Sequence, residues 1–217
     1  MIMKGLFITF EGIEGSGKST QILLLEQRLR SLGRKVRLVR EPGGTPIGEE
    51  IRHTLKHSKA NAAMTGETEL LLMNASRAQL VRELIRPALA AGEIVLCDRF
   101  YHSTIAYQGY GRQLDLKQVE VIIDVAVGDT RPDLTLFLHV PHEVSEQRRL
   151  ARQPTLPLHL QRDRIEEAGQ SFFERVAKGY EALASAEPRR VKRIDADAAV
   201  EKVQASIWGY VQPLLGN

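Results

Sequence analysis

The sequence predicts an α/β fold in three layers, a parallel sheet with helices on both faces. Strand-like apolar runs alternate with helix-like segments from end to end, the pattern of a sheet buried on both sides. The phosphate-loop pattern G-x-x-x-x-G-K-[ST], carried by Gly12-Ile13-Glu14-Gly15-Ser16-Gly17-Lys18-Ser19, stands at the first strand-to-helix junction. At 217 residues the chain is long enough for one sizeable core and short for two, so one domain spanning 1–217 is expected.

Leu6-Phe7-Ile8-Thr9-Phe10 reads as a buried strand within 4–10. Ile22, Leu25, Leu29 and Leu32 recur like one face of a helix over 18–32, and Gly33 suits the position just past its end. A strand at 35–40, a helix at 46–57 and a long helix at 67–90 follow, the last kinked near its end by Pro87. Next come a strand at 93–98, a helix at 115–126, a strand at 134–140 and helices at 142–152 and 163–185. A strand at 190–195 and a helix at 198–214 complete the series. Residues 41–92 are more than a crossover needs and predict a substrate-binding lobe over the carboxyl edge of the sheet. Residues 150–166 gather Arg152, Pro154, Pro157, His159, Arg162, Asp163 and Arg164 between two helices, which predicts a lid.

Composition excludes several classes. A formal charge of +3, with no basic stripe interleaved with aromatics, is too mild for a nucleic-acid partner. Cys97 is the single cysteine, which rules out an internal disulfide and a cysteine-based zinc cluster, and its apolar run makes it a core residue. His53 and His57 lie four apart but lack the H-E-x-x-H glutamate, so no histidine metal site is expected. No cleavable leader and no stretch approaching 18 apolar residues is visible, so a soluble cytoplasmic protein without a membrane partner is expected. Neither an N-K-x-D guanine-reading motif nor L-S-G-G-Q occurs, which weighs against a nucleotide switch or motor subunit.

The chemistry starts at the phosphate loop. Its glycines let consecutive N–H groups turn inward around phosphate oxygens, and the following helix adds the positive end of its dipole. Lys18 would reach the β- and γ-phosphates of a nucleotide, and the Ser19 hydroxyl would join the shell of a Mg2+ ion. The strand at 93–98 ends on Asp98-Arg99, placing a carboxylate and a guanidinium at the sheet edge where ligands bind in open parallel sheets. The carboxylate can hold Mg2+ and the guanidinium can clamp a second anion. Glu41-Pro42-Gly43-Gly44-Thr45, after the second strand, predicts a tight turn at that same edge.

Six segments in order make the resemblance specific: Phe10-Glu11-Gly12-Ile13-Glu14-Gly15 with Gly17-Lys18-Ser19-Thr20, Arg40-Glu41-Pro42-Gly43-Gly44-Thr45, Asp98-Arg99-Phe100, Ala106-Tyr107-Gln108-Gly109, Arg131-Pro132-Asp133-Leu134 and Asp163-Arg164-Ile165-Glu166. The whole chain resembles the thymidylate kinases. The resemblance implies a P-loop kinase fold with sheet order 2-3-1-4-5, transfer of the γ-phosphoryl of ATP to dTMP, and a homodimer. It also implies roles for particular residues. Gly12, Ile13, Glu14, Gly15, Ser16, Gly17, Lys18, Ser19 and Thr20 would bind ATP, with Ser19 and Asp98 at the metal. Arg99 would clamp the dTMP phosphate, with Arg52 as a further phosphate arginine and Glu14 facing the sugar 3′-hydroxyl. Glu41 and Pro42 would border the nucleotide. Arg77, Gln108, Ser103 and Thr104 would line the base pocket. Met73 stands where many relatives carry a base-stacking aromatic, and serves as a polarizable stand-in or as plain helix core. The variable loop positions hold no arginine, so the cation on the transferred group would come from the lid, from Arg152 first, then Arg148, with Arg164 nearby.

Overall fold

The computed structural model describes residues 5–152, 164–165 and 168–216. Five parallel strands form one sheet of order β2-β3-β1-β4-β5: β1 (Leu6–Glu11), β2 (Val36–Arg40), β3 (Ile94–Asp98), β4 (Leu134–His139) and β5 (Val191–Asp195). The described helices are α1 (Lys18–Ser31), α2 (Pro46–Lys56), α3 (Gly66–Leu80), α4 (Arg86–Ala90), α5 (Tyr101–Thr104), α6 (Leu116–Val127), α7 (His142–Arg152), α8 (Gln170–Ala186) and α9 (Val200–Val211).

Every residue of β1 is buried, as befits the middle strand of a doubly covered sheet. Alternate side chains of β1 enter different cores. Ile8 and Phe10 pack with Leu25, Leu29, Tyr180 and Ile207, whereas Phe7 packs with Leu80, Val95, Cys97 and Ile123. Helices α1, α8 and α9 therefore cover one face, and α3, α4 and α6 the other. The register sets Phe10 opposite both Asp98 and Leu136, so the phosphate loop and the Asp98-Arg99 pair leave the sheet side by side.

Four expectations need correction. Leu32 is 56% exposed, because α1 ends at Ser31 and Gly33, at φ 74°, turns the chain away. The helix expected over 67–90 is interrupted by a wider π turn at Val81–Ile85, before Pro87. Pro87 has no N–H to donate to the carbonyl one turn back, which accounts for the irregularity there. The helix expected from 163 starts at Gln170, with Arg164 and Ile165 in a turn. Finally, a helical segment at 101–111 was not expected: α5 continues into a π turn at Ile105–Gly111. Its Tyr, Ser, Thr and Gly residues are poor helix formers without an amphipathic stripe, and packing on α8 holds it instead. A Cβ on Gly111 would stand 2.6 Å from the Phe172 ring, and one on Gly179 would stand 2.9 Å from Tyr110, so that contact needs glycine on both sides.

The lid positions Pro154, Pro157, His159, Arg162 and Asp163 lie outside the described residues. Residues 41–92 fold as α2, a short 3-10 turn at Lys59–Ala63 and the α3-to-α4 helix, and Glu41, Pro42, Arg52, Lys56, Met73 and Arg77 of this segment border the cavity described next.

Candidate active site

The loop after β1 is shaped by Gly12 at φ 135°, Gly15 at φ 74° and Gly17 at φ 88°, conformations that side-chain-bearing residues rarely adopt. A Cβ at Gly12 would also meet the Leu138 carbonyl oxygen at 2.4 Å. Lys18 opens α1, and its Nζ donates back to the carbonyls of Gly12 and Ile13, each at 3.1 Å. Burial, helped by the nearby Arg99 charge, lowers Lys18 to about 7. Ile13 itself packs into the core, Ser16 is buried, and Glu14 and Thr20 are exposed. The Ser19 hydroxyl lies 3.4 Å from Asp98 Oδ2.

Arg99 directly follows β3 in a left-handed conformation, φ 70°. Two bonds hold that turn: its N–H donates to Phe10 O at 2.9 Å, and Cys97 Sγ donates to its carbonyl at 2.8 Å. The guanidinium sits 3.2 Å from Ser103 Oγ, 3.4 Å from Tyr180 Oη and 5.1 Å from the centre of the Tyr107 ring. Beneath it lies the fully buried Glu11, which accepts from Phe100 N–H at 2.8 Å, Ser103 Oγ at 2.5 Å and Tyr180 Oη at 2.9 Å. Glu11 was not singled out from sequence, although a carboxylate ending a buried strand has to find donors and is a signal in itself.

After β2, Glu41-Pro42 is a cis peptide and Gly43 and Gly44 carry positive φ, giving the expected tight turn. Thr45 then caps α2, accepting from Gly48 N–H at 3.0 Å, and Arg52 Nη1 reaches back to Pro42 O at 2.9 Å. Arg77 of α3 is 2% exposed and paired with Glu41 at 2.6 Å. Its Nε and Nη2 donate to Glu41 Oε2, and its Nη1 to Asn74 Oδ1 and Thr104 Oγ1. Those bonds occupy all but one of the guanidinium N–H groups. Burial pushes the Glu41 carboxyl up to about 7, the Arg77 charge pulling in the opposite direction. Gln108, in the π turn, donates through Nε2 to the buried Glu69 at 2.6 Å.

One cavity of about 310 Å³ joins these parts. Glu14, Gly15, Gly17, Lys18 and Ser19 line it from the phosphate loop; Glu41, Pro42, Arg52, Met73 and Arg77 from the second strand onward; Asp98, Arg99, Ser103, Thr104 and Gln108 from the third. Arg40, Lys56, Tyr107, Ile165 and Phe173 also line it and were not anticipated. Tyr107 lay inside a quoted motif, whereas Phe173 had no distinguishing signal within an apolar helix face. Met73 borders the cavity and also packs against the core. Arg148 points elsewhere, donating to Ala196 O at 2.9 Å with Asp197 at 3.5 Å. Arg164 pairs with Glu69, and the side chain of Arg152 lies outside the described residues. The arrangement offers a polyphosphate cradle and a second anion clamp opening on the same space, as a phosphoryl transfer between two anionic molecules requires.

Comparison with known proteins agrees with this geometry. A family model described as thymidylate kinase matches residues 10–207. Thymidylate kinase of Syntrophotalea carbinolica is 47% identical over 93% of each chain, and that of Pseudomonas savastanoi pv. phaseolicola is 47% identical over 98% of each. A crystal structure of thymidylate kinase from Ehrlichia chaffeensis superposes with a TM-score of 0.76 at 33% identity, covering 96% of this chain and 99% of that one. With the phosphate loop, the sheet order and near-complete coverage all agreeing, the chain belongs to the thymidylate kinase family.

Proposed function

We infer that the protein transfers the γ-phosphoryl group of ATP to dTMP, giving ADP and dTDP on the way to dTTP. The observation that carries this reading is a single cavity lined at once by Lys18 and Ser19 of the phosphate loop and by Arg99, with Arg77 and Gln108 also lining it. Lys18 holds the β- and γ-phosphates, and Arg99 with Arg52 holds the dTMP phosphate. Glu14 accepts from the 3′-hydroxyl, while Arg77, Gln108, Ser103, Thr104 and Met73 face the base. A lid arginine, Arg152 or Arg148, supplies charge to the transferred group.

Ser19 and Asp98 offer two hard oxygen donors 3.4 Å apart, and no set of three or more acidic, histidine or cysteine ligands occurs among the described residues. That fits Mg2+, which is held by few protein ligands beside water and phosphate oxygens. When bound, the ion neutralises charge on the bridged phosphates. No described helix is long and apolar enough to cross a membrane, and we place the enzyme in the cytoplasm. We assign it a homodimer through α3 and α6, adjacent helices whose Leu71, Val121 and Val125 are 56%, 63% and 73% exposed. A coupled ADP-release assay with ATP, Mg2+ and each nucleoside monophosphate in turn tests the reaction. It should show dTMP preferred over AMP, GMP, CMP and UMP, with dUMP weaker. Equal rates with AMP and dTMP would sink the assignment.

A further inference from the structure

Gln108 borders the cavity through an amide whose two ends are chemically opposite, one a double donor and the other an acceptor. Which end faces a ligand decides which base the site accepts. That choice is made outside the cavity, by Glu69 of α3.

Glu69 is fully buried and does not line the cavity. Its carboxylate forms ion pairs with Arg112 at 3.1 Å and with Arg164. A carboxylate in that state accepts hydrogen bonds and donates none. The Gln108 atom 2.6 Å from Glu69 Oε1 must therefore be the amide nitrogen. Were the amide reversed, two oxygens would face each other at that distance inside the protein, an unpaired buried arrangement that is strongly disfavoured. Gln108 Oε1 is left without a donor among the described residues, on the side chain that lines the cavity.

We propose that Glu69 is a specificity-determining positioning residue: by taking the Gln108 amide N–H, it presents the Gln108 carbonyl to the ligand and selects bases with an N–H at ring position 3. The inference rests on the dTMP reading. A pyrimidine-2,4-dione such as thymine offers that N–H, with an acceptor oxygen on the neighbouring carbon. The one N–H that Arg77 keeps after serving Glu41, Asn74 and Thr104 is complementary to such an oxygen. Cytosine reverses both groups, with a bare acceptor nitrogen at position 3 and an amino group beside it. It would set acceptor against acceptor and donor against donor.

Glu69→Gln reverses the device in a definite sense. Arg112 Nη2 and Arg164 donate to Oε2, whereas Arg112 Nε reaches Oε1 only at 3.4 Å, so the two closer arginine donors keep the new amide oxygen at the Oε2 position and the amide nitrogen takes the place facing Gln108. Gln108 must then turn its carbonyl toward residue 69 and its NH2 toward the cavity.

The test is the ratio of kcat/KM for dTMP to that for dCMP, measured on the wild type, Glu69→Gln and the double variant Glu69→Gln/Gln108→Ala against Gln108→Ala. The wild type should favour dTMP. Glu69→Gln should narrow the ratio by about tenfold or more, the dTMP loss falling mainly on KM. In the Gln108→Ala background the change at position 69 should leave the ratio unmoved. Should Glu69→Gln not fold, Glu69→Asp, which keeps the charge but draws back from Gln108, must narrow the ratio in the same direction. A wild type unable to use dTMP would overturn the proposed function itself. A wild type that prefers dTMP while the position-69 variant keeps the ratio within about twofold overturns only this inference and leaves Glu69 a packing partner of the arginines. A wild type that uses both nucleotides alike overturns it as well.

Discussion

Tyr180 and Glu11 stand 169 residues apart in the chain and 2.9 Å apart in space, the phenol of α8 donating to the carboxylate that ends β1. The same phenol lies 3.4 Å from the Arg99 guanidinium, so Arg99, the proposed phosphate clamp, is braced from a helix on one face and from the central strand. Tyr180→Phe removes the phenol and leaves the ring packing in place. It should raise KM for dTMP severalfold with little change in ATP affinity, and cost about 1 kcal/mol of stability. Steady-state kinetics with a thermal melt checks this; an unchanged KM would show that Ser103 alone suffices.

Lys18 and Arg99 should separate by substrate. Lys18→Ala is expected to lower kcat on the order of a thousandfold, as when other preorganised charge contacts are removed. Arg99→Ala should raise KM for dTMP strongly while ATP binding alone changes little. Calorimetry finding the reverse pattern would exchange the two roles.

The lowered Lys18 value has a signed consequence. With burial holding Lys18 at about 7, the ammonium form gives way to the neutral amine as pH rises through that value. A polyphosphate favours the ammonium form, so binding ATP should take up protons at pH 8, approaching one per site, and almost none through this group at pH 6. Titrations in two buffers of different ionisation enthalpy measure that uptake. Its persistence in Lys18→Ala would assign it to another group.

The lid arginines differ in their surroundings, Arg148 bound to the β5–α9 turn and Arg164 to Glu69. Arg152→Ala should lower kcat at least tenfold with a small effect on KM for dTMP, as for a contact made mainly in the transition state. Alanine variants at all three positions with kcat within about twofold of the wild type would place the catalytic charge elsewhere.

Val125 is the most exposed large apolar residue among those described. If α3 and α6 form the dimer face, Val125→Glu should shift the protein toward monomer in sedimentation or light scattering, because an unpaired charge would be buried there. A monomeric wild type would overturn that assignment.

Periodicity and local motifs were enough to place the strands, α1 with its buried Ile22, Leu25 and Leu29, and the phosphate loop, because those features depend on neighbours a few residues away. The Asp98-Arg99 pair was legible for the same reason, a polar end on an apolar strand. The helical segment at 101–111 was not, since its conformation comes from packing on Phe172 and Gly179 of α8 and its own residues favour no helix. Nor could Glu69 and Phe173 be distinguished in sequence from any other acid or apolar residue, and the position of Glu11 at the end of a buried strand signals a need for donors without saying which residues supply them. A buried carboxylate takes its meaning from the donors around it, and those of Glu11 come from residues 89 to 169 positions away. The order of strands in space, which sets the phosphate loop beside Asp98 and brings α8 under Arg99, is a long-range property: the family resemblance implied it correctly, but no local pattern in the sequence specifies it, and its physical cause lies in contacts made only by the folded chain.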